Sequence, residues 1–482
     1  MAALALAGAI GAVAPGAAAA RDAALVDASR ELLPAAEGAA ARASGAAQEA
    51  YDRARDLQEA VRGAAPVSPA CRPLLLALGR YAAARVREME GIDRPSATDV
   101  AAGRRAAEAA RDAAARAAGG CRGTGAGAPR AVFGMSPSSD EAFFGAVVAR
   151  APRGAESARL SVDGRAAAEA RIRDGRARFT PAVGVGRHDL RVTFERDGRT
   201  VGAAEARGAW RLPASARRAV PGSRADAAAA RALREALARG PAYRAAWVQD
   251  LTSGATAGMG AATAFPAAST VKLGLLTGAL ARLGARPERS PDAYDLRAMT
   301  TFSSNLATNR LLARLGGVAT AADGLRRLGA RASTFPGGYV IGELQPGLPA
   351  ARTGAAPPRV SGRVTTAQDL GRMLFSLHAA AVGTPAARRE TGLTVHQARL
   401  ALGWLLASEQ RGDNASLLAG GVAPGTPIAQ KNGWLNDARH AAGIVYAPEG
   451  PRITVLLTYD ARGVPIDAAR RVGARVAAVI GR

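Results

Sequence analysis

The sequence predicts a multidomain chain. Residues 223–482 read as an α+β unit, an antiparallel sheet flanked by helices plus an all-α part, preceded by a small β-sandwich over 130–213 and an α-helical domain over 21–122. Three observations carry this reading. A chain of 482 residues is too long for one ordinary core. The hydrophobic pattern changes twice along it, from helical spacing to short alternating runs and then to a mixture of both. From Ser223 onward, strand-like segments stand near both ends with helical ones between them.

Met1 to Ala20 is uncharged and ends in Ala18-Ala19-Ala20 before Arg21, the pattern of a secretory signal peptide with a small-residue cleavage site. Export is then the expected localisation, with no transmembrane segment beyond that signal, since no later stretch offers eighteen consecutive apolar residues. Arg21 to Gly120 is Ala-rich with charges at helical spacing, as in Ala50 to Val61, and is interrupted at Pro66-Val67-Ser68-Pro69. Cys71 and Cys121 are the only cysteines. In an exported chain they predict a disulfide, and with no His or Cys neighbour at ligand spacing they predict no metal site. Gly123 to Pro129 reads as a linker.

Between Arg130 and Pro213, Asp163-Gly164, Asp174-Gly175 and Asp197-Gly198 are hairpin turn signals. They predict strands at Ala158–Val162, Ala177–Phe179, His188–Glu195 and Thr200–Ala206, an antiparallel sandwich of immunoglobulin-like kind that spaces or binds rather than catalyses. In the last part, a helix over Ala227–Ala238 precedes a strand from Tyr243 to Leu251. Thr252-Ser253-Gly254 turns the chain into a second strand that ends at Phe265-Pro266, and a strongly apolar helix comes next. Thr366-Ala367-Gln368-Asp369 has the chemistry of a helix N-terminus. Strands at Ala441–Tyr446 and Arg452–Tyr459 and a helix over Asp467–Ile480 close the chain.

The formal charge is +24. Such a surface favours anionic partners, acidic wall polymers among them. No run of clustered Arg with interleaved aromatics occurs, which argues against nucleic acid. Of the 64 basic residues only Lys272 and Lys431 are lysines. Guanidinium keeps its proton under all ordinary conditions, whereas a desolvated ammonium can shift its pKa and act as a base.

Both lysines sit in patterns with a chemical reading. Ser269 and Lys272 are three apart at the start of the apolar helix, which puts an alcohol beside an amine and near unpaired backbone N–H groups. A serine hydroxyl needs an adjacent base to become a nucleophile, and a buried lysine can be that base. In Thr301 to Asn309, Ser303 can relay a proton to a leaving nitrogen and Asn305 can orient a substrate amide and Lys272; the same cluster also suits a helix N-cap. Gln430-Lys431-Asn432-Gly433-Trp434 precedes Ala441 to Tyr446, as in an edge strand beside a cleft. Lys431 would meet a substrate carboxylate, and Gly433 would let backbone approach the ligand.

In this order, Ser269-x-x-Lys272, Ser303-x-Asn305 and Lys431-Asn432-Gly433 resemble the three motifs of the serine β-lactamases and penicillin-binding D,D-peptidases. The resemblance covers roughly 223–482 and looks closest to the class A β-lactamase branch, because a helix precedes the first strands and another comes after the last. It implies a β-lactamase/transpeptidase-like fold and a covalent acyl-enzyme on Ser269, with the backbone N–H groups of Ser269 and Trp434 as oxyanion hole. The substrate would be a β-lactam or a D-alanyl cell-wall peptide, without a cofactor. The chain departs from the family pattern in having Ser304 where Asp is usual and Asn432 where Thr is more common. Class A enzymes also carry a Glu-x-x-x-Asn before the position of Thr365, which 332–363 lacks. Its only carboxylate, Glu343, is therefore either the group that activates the deacylating water or a solvated loop residue. Weak deacylation favours a D,D-peptidase or penicillin-trapping role, and a different alternative is a non-catalytic wall-binding protein with a vestigial site.

Overall fold

A computed structural model describes residues 22, 25–26, 28–41, 53–54, 57–58, 61, 67–93, 97–121, 133–222, 224–290, 292–301, 303–339, 362–408 and 416–479. The segment read as a signal (1–20), the linker (123–129) and Glu343 lie outside them. Among the described residues no helix is long and apolar enough to cross a membrane.

Helices Arg72–Asp93 and Ala97–Ala118 pack along each other. Leu74, Leu78 and Tyr81 recur on one face of the first, and Ala107, Ala110 and Ala114 on one face of the second, so large side chains meet small ones across a narrow seam. The Cys71–Cys121 disulfide joins the start of the first helix to the end of the second, with Cα atoms 4.4 Å apart.

Eight strands come next: β1 (Met135–Ser136), β2 (Ala142–Phe143), β3 (Val147–Arg150), β4 (Ser157–Val162), β5 (Arg165–Arg171), β6 (Arg176–Phe179), β7 (Gly186–Arg196) and β8 (Arg199–Arg211). They form a five-stranded sheet, β2-β8-β7-β4-β5, and a three-stranded one, β1-β3-β6, around a shared core that includes Phe143, Val147, Leu160, Phe179, Val192 and Phe194. Asp163, Asp174 and Asp197 take positive φ, each followed by a glycine that does the same, as an Asp-Gly hairpin turn requires. The pairing is antiparallel except for β2 and β8, which run parallel at the edge. That edge is not free: Phe144, Trp210, Leu212 and Ala216 belong to the largest core of the molecule, together with helices from the C-terminal part.

The strands of the C-terminal part are β9 (Arg224–Ala225), β10 (Tyr243–Asp250), β11 (Ala255–Met259), β12 (Phe265–Pro266), β13 (Val364–Thr365), β14 (Ile428–Trp434), β15 (Arg439–Ala447) and β16 (Gly450–Tyr459). Six of them form one sheet in the order β14-β15-β16-β10-β11-β9. Five of these pair antiparallel, and the two-residue β9 joins the edge in parallel. Helices Ala227–Ala236 and Ile466–Ala477 cover one face through Leu233, Val248, Leu456 and Val472. Helices Ala367–Val382 and Val395–Ala407 belong to the core that takes in Ala245, Val455 and Leu457 from alternate positions of the same strands.

The second strand does not run on to Phe265-Pro266 as the sequence suggests: β11 ends at Met259, Gly260 turns the chain at positive φ, and β12 pairs instead with β13. A proline at the end of a continuous sheet strand lacks the ladder N–H, and the two-residue side pairing has no need of it.

Helix Lys272–Arg282 is buried on every side from Lys272 through Leu280. An apolar helix of this kind must lie in the middle of a lobe rather than on its surface. Helix Val318–Arg327 crosses it very closely: a Cβ on Gly324 would strike the Gly274 carbonyl, and one on Gly278 would strike that of Thr320.

The two-sheet unit also meets this lobe through His396, whose Nδ1 lies 3.0 Å from Glu141 and whose Nε2 lies 3.0 Å from Glu288. Burial alone would lower its pKa, but the two carboxylates outweigh burial and raise it to about 9. The folded value thus lies above the ordinary one, so the stabilisation is complete below about pH 6.5 and is lost as pH rises through about 9. Thermal denaturation between pH 6 and 10 should therefore show an alkaline loss of about 2–3 kcal/mol that His396→Gln removes. Equal slopes for the two proteins would contradict the assignment.

Candidate active site

Ser269 stands, half-buried, in the turn between β12 and helix Lys272–Arg282. The helix as formed begins at Lys272, and the residues before it are wound more tightly: the amides of Lys272, Leu273 and Gly274 each bond the carbonyl three residues back. Side chains hold three consecutive carbonyls ahead of the serine. The Pro266 oxygen accepts from His440 Nε2 at 2.6 Å, that of Ala267 from the Thr270 hydroxyl at 2.7 Å, and that of Ala268 from the Tyr339 hydroxyl at 2.9 Å. The Thr458 amide donates to His440 Nδ1 at 3.2 Å, which assigns the ring proton to Nε2. Burial lowers the His440 pKa to about 4, so the ring stays neutral.

Lys272 is 1 % exposed. Its Nζ donates to the Ser303 carbonyl at 2.6 Å and to Asn305 Oδ1 at 2.8 Å, with Ser304 O at 3.4 Å and Ser303 Oγ at 3.5 Å. Lys431, 2 % exposed on β14, donates to the same Ser303 hydroxyl at 2.7 Å and to the Asn432 carbonyl at 2.8 Å. Burial pushes the Lys431 pKa down to about 7. One hydroxyl thus sits between the two lysines of the chain. The partners just named are carbonyls, an amide and a hydroxyl.

Asn305 opens helix Asn305–Arg314, capped by the Ser304 hydroxyl, which accepts from the Ala307 amide at 3.0 Å. The cap and the contact to Lys272 coexist, because Ser304 serves the helix while Ser303 and Asn305 face the lysines. The helix is tied to its neighbour Ala293–Thr301 by pairing of Arg310 and Arg314 with Asp295 and Asp292.

β14 is the edge strand of the sheet and runs beside the serine turn. A Cβ on Gly433 would meet Ala267 O at 2.8 Å, Thr270 Cγ2 at 2.8 Å and Ser269 N at 3.1 Å. Asn432 is buried in the strand, and Trp434 is half-buried at its end, opposite Arg439. Six non-glycine residues among those described have positive φ. Four are aspartates of the sandwich, a type that tolerates this region, and the other two are Ala268 and Ser303. Strain of about 1–3 kcal/mol per residue persists where surrounding contacts over-determine the backbone, and it concentrates at functional sites.

Sequence reasoning missed Tyr339, Asn309 and His440. Asn309 is one helical turn beyond Asn305 on the same helix, a spacing visible in the sequence. Tyr339 and His440 fit no local pattern and meet the site only through tertiary contacts. Glu343 lies outside the described residues.

The chain matches the model of the β-lactamase enzyme family over residues 293–481, a span that contains Ser303, Asn305 and Lys431 to Trp434 but begins after Ser269 and Lys272. The resemblance to the serine β-lactamase and penicillin-binding superfamily is borne out for this part. No curated protein sequence matches the chain. Among solved structures, PBP-A is similar with 20% identity, covering 54% of this chain and 97% of its own, at a TM-score of 0.39. A class A β-lactamase reconstructed as the last common ancestor of Gram-negative bacteria has 23% identity, covering 53% and 98%, at 0.39. A β-lactamase from Xanthomonas campestris has 20% identity, covering 52% and 97%, at 0.40.

Gly433→Ala should push β14 off the serine turn, since two of the three atoms it would meet are backbone. If Ser269 is the nucleophile, its covalent labelling by a fluorescent penicillin should fall about a hundredfold, the scale of a lost oxyanion donor, with a melting temperature little changed. Full labelling of a folded variant would exclude the close approach.

Proposed function

We propose that the chain is an exported serine hydrolase that forms an acyl-enzyme on Ser269, with Lys272 as general base. The supporting observation is the Ser303 hydroxyl, 3.5 Å from Lys272 Nζ and 2.7 Å from Lys431 Nζ. In this reading the neutral amine of Lys272 takes the proton of Ser269 as its oxygen attacks an amide carbonyl. The N–H groups of Ser269 and Trp434 receive the oxyanion. Ser303 relays a proton to the leaving nitrogen. Asn305 orients the substrate amide, and Lys431, with Asn432 beside it, meets the substrate carboxylate.

The substrate is a β-lactam amide or a D-alanyl peptide of the cell wall. The second is favoured by the sequence of 332–363, which has no Glu-x-x-x-Asn, because a peptidase can pass its acyl group on, whereas a β-lactamase must activate water efficiently. Glu343, the one carboxylate of that stretch, is the carboxylate candidate for the water-activating step, with Lys272 the other candidate. The uncharged first twenty residues and the Cys71–Cys121 disulfide support export, and the arginine excess supports contact with an anionic wall polymer. A wall-binding protein with a vestigial site is disfavoured, since a dead site has no reason to retain its only lysines.

Intact-mass analysis after exposure to a penicillin should show one acyl adduct on the full chain. Ser269→Ala should abolish it, and Lys272→Arg should slow its formation by about 10²–10⁴-fold, because Arg cannot give up its proton. An adduct on Ser269→Ala would refute the nucleophile.

A chase without penicillin then measures release. If Glu343 activates water, Glu343→Gln lengthens the life of the adduct at an unchanged rate of formation. Release at the same slow rate in both proteins removes Glu343 from the mechanism.

A further inference from the structure

Tyr339 touches Lys272 and the backbone directly before Ser269. Its ring centroid lies 4.2 Å from Lys272 Nζ, and its hydroxyl donates to the carbonyl of Ala268, the positive-φ residue directly before Ser269. The contact is not a loose one. The Tyr339 amide donates to Asn309 Oδ1 at 2.7 Å, and the Asn309 amide group donates back to the Tyr339 carbonyl at 2.7 Å. Asn309 stands on the helix that Asn305 opens, and Asn305 itself accepts from Lys272. The contacts therefore close a ring: Lys272 to Asn305, along one helical turn to Asn309, across to Tyr339, and back to Lys272. Behind it, the Arg363 guanidinium lies 3.8 Å from the same ring centroid and donates to the carbonyls of Gly337 and Gly338 at 2.8 and 2.9 Å. Asp369 holds the start of this segment by accepting from the amides of Arg331 and Ala332.

We propose that Tyr339 is a positioning residue that ties the base to the nucleophile: its ring holds the Lys272 side-chain amine against Ser303 and Asn305, and its hydroxyl fixes the backbone that carries Ser269. The two contributions are separable. The negative face of an aromatic ring attracts the N–H dipoles of an amine as it does a cation, and phenylalanine offers the same face. The hydrogen bond to Ala268 needs the phenol. Burial keeps the Tyr339 phenol protonated, so it remains a donor. A residue that merely filled the core would be replaced by Phe without consequence for the chemistry.

The inference rests on the acyl-enzyme reading for its kinetic part but has a readout that does not. Because the chain has two lysines, full-length protein carrying ¹³C at the lysine ε carbon gives two ε-methylene signals, and Lys431→Arg assigns them. The Lys272 signal of the wild type should be displaced upfield by the Tyr339 ring. Tyr339→Phe should keep that displacement and Tyr339→Leu should lose it. In single-turnover labelling with a fluorescent penicillin, the Phe variant should acylate about fivefold more slowly, the scale of one neutral hydrogen bond. The Leu variant should be slower by about a further tenfold. The dissociation constant of the non-covalent stage should be unchanged in both.

An undisplaced Lys272 signal in the wild type overturns the proposal without any variant. So does a Phe variant that acylates at the wild-type rate while the Leu variant does the same. If no protein is acylated yet the Lys272 signal behaves as described, the acyl-enzyme reading falls and the hold of Tyr339 on the lysine stands.

Discussion

Two buried lysine amines that share one serine hydroxyl are the constraint on which the rest of the site depends. Removing an ammonium from water costs several kcal/mol unless its hydrogens find partners. Here the named partners are the carbonyls of Ser303, Ser304 and Asn432, the Asn305 amide and the Ser303 hydroxyl. Lys431 responds by losing basicity, to about 7, so its charge near neutrality depends on what enters the site. An anionic substrate brings a countercharge with it. This also explains why lysine survives at two positions of a chain that otherwise uses arginine, since a guanidinium could not yield its proton however deeply it was buried.

Holding such groups requires a scaffold that does not relax around them. The helix that carries Lys272 is buried all round, and Gly274, Gly278 and Gly324 let a second helix cross it at backbone contact, which leaves the lysine little room to turn away. On the nucleophile side, three successive carbonyls are pinned by His440, Thr270 and Tyr339. Those bonds stabilise the unfavourable φ of Ala268. The position of His440 is set in turn by sheet register, since it lies opposite Gly433 on β15 and so reaches Pro266 beneath the serine turn. Strain at Ala268 and Ser303 is thereby held in place by the sheet on one side and the helical lobe on the other.

Much of this is legible in the sequence, and the remainder is not for identifiable reasons. Ser269, Lys272, Ser303, Asn305 and Lys431 are marked by residue type and local spacing, because the proposed chemistry needs an alcohol beside an amine and a helix start beside both. The Asp-Gly turns and the alternation of Ala158, Leu160 and Val162 are readable for the same local reason. Phe265-Pro266 is misread because a short apolar run does not reveal its partner, and its pairing with Val364–Thr365 spans nearly a hundred residues of chain. Tyr339 is invisible: a single aromatic after Pro336-Gly337-Gly338 has no periodicity, and its meaning comes from Asn309 and Lys272, which only tertiary structure brings to it.

The same geometry bears on the fate of the acyl-enzyme in the proposed chemistry. A lysine that has passed its proton through Ser303 to the leaving nitrogen is neutral again, and in principle could activate water for the second half of the reaction. Access decides whether it does. One side of the Lys272 amine is taken by Ser303 and Asn305, and another by the Tyr339 ring 4.2 Å away, whose backbone is clamped at both its N–H and its C=O. An aromatic face offers a water no strong hydrogen bond, so this side of the base favours the cation over a bound nucleophile. In the proposed chemistry, such a site would form an acyl-enzyme more readily than Lys272 could help water to hydrolyse it.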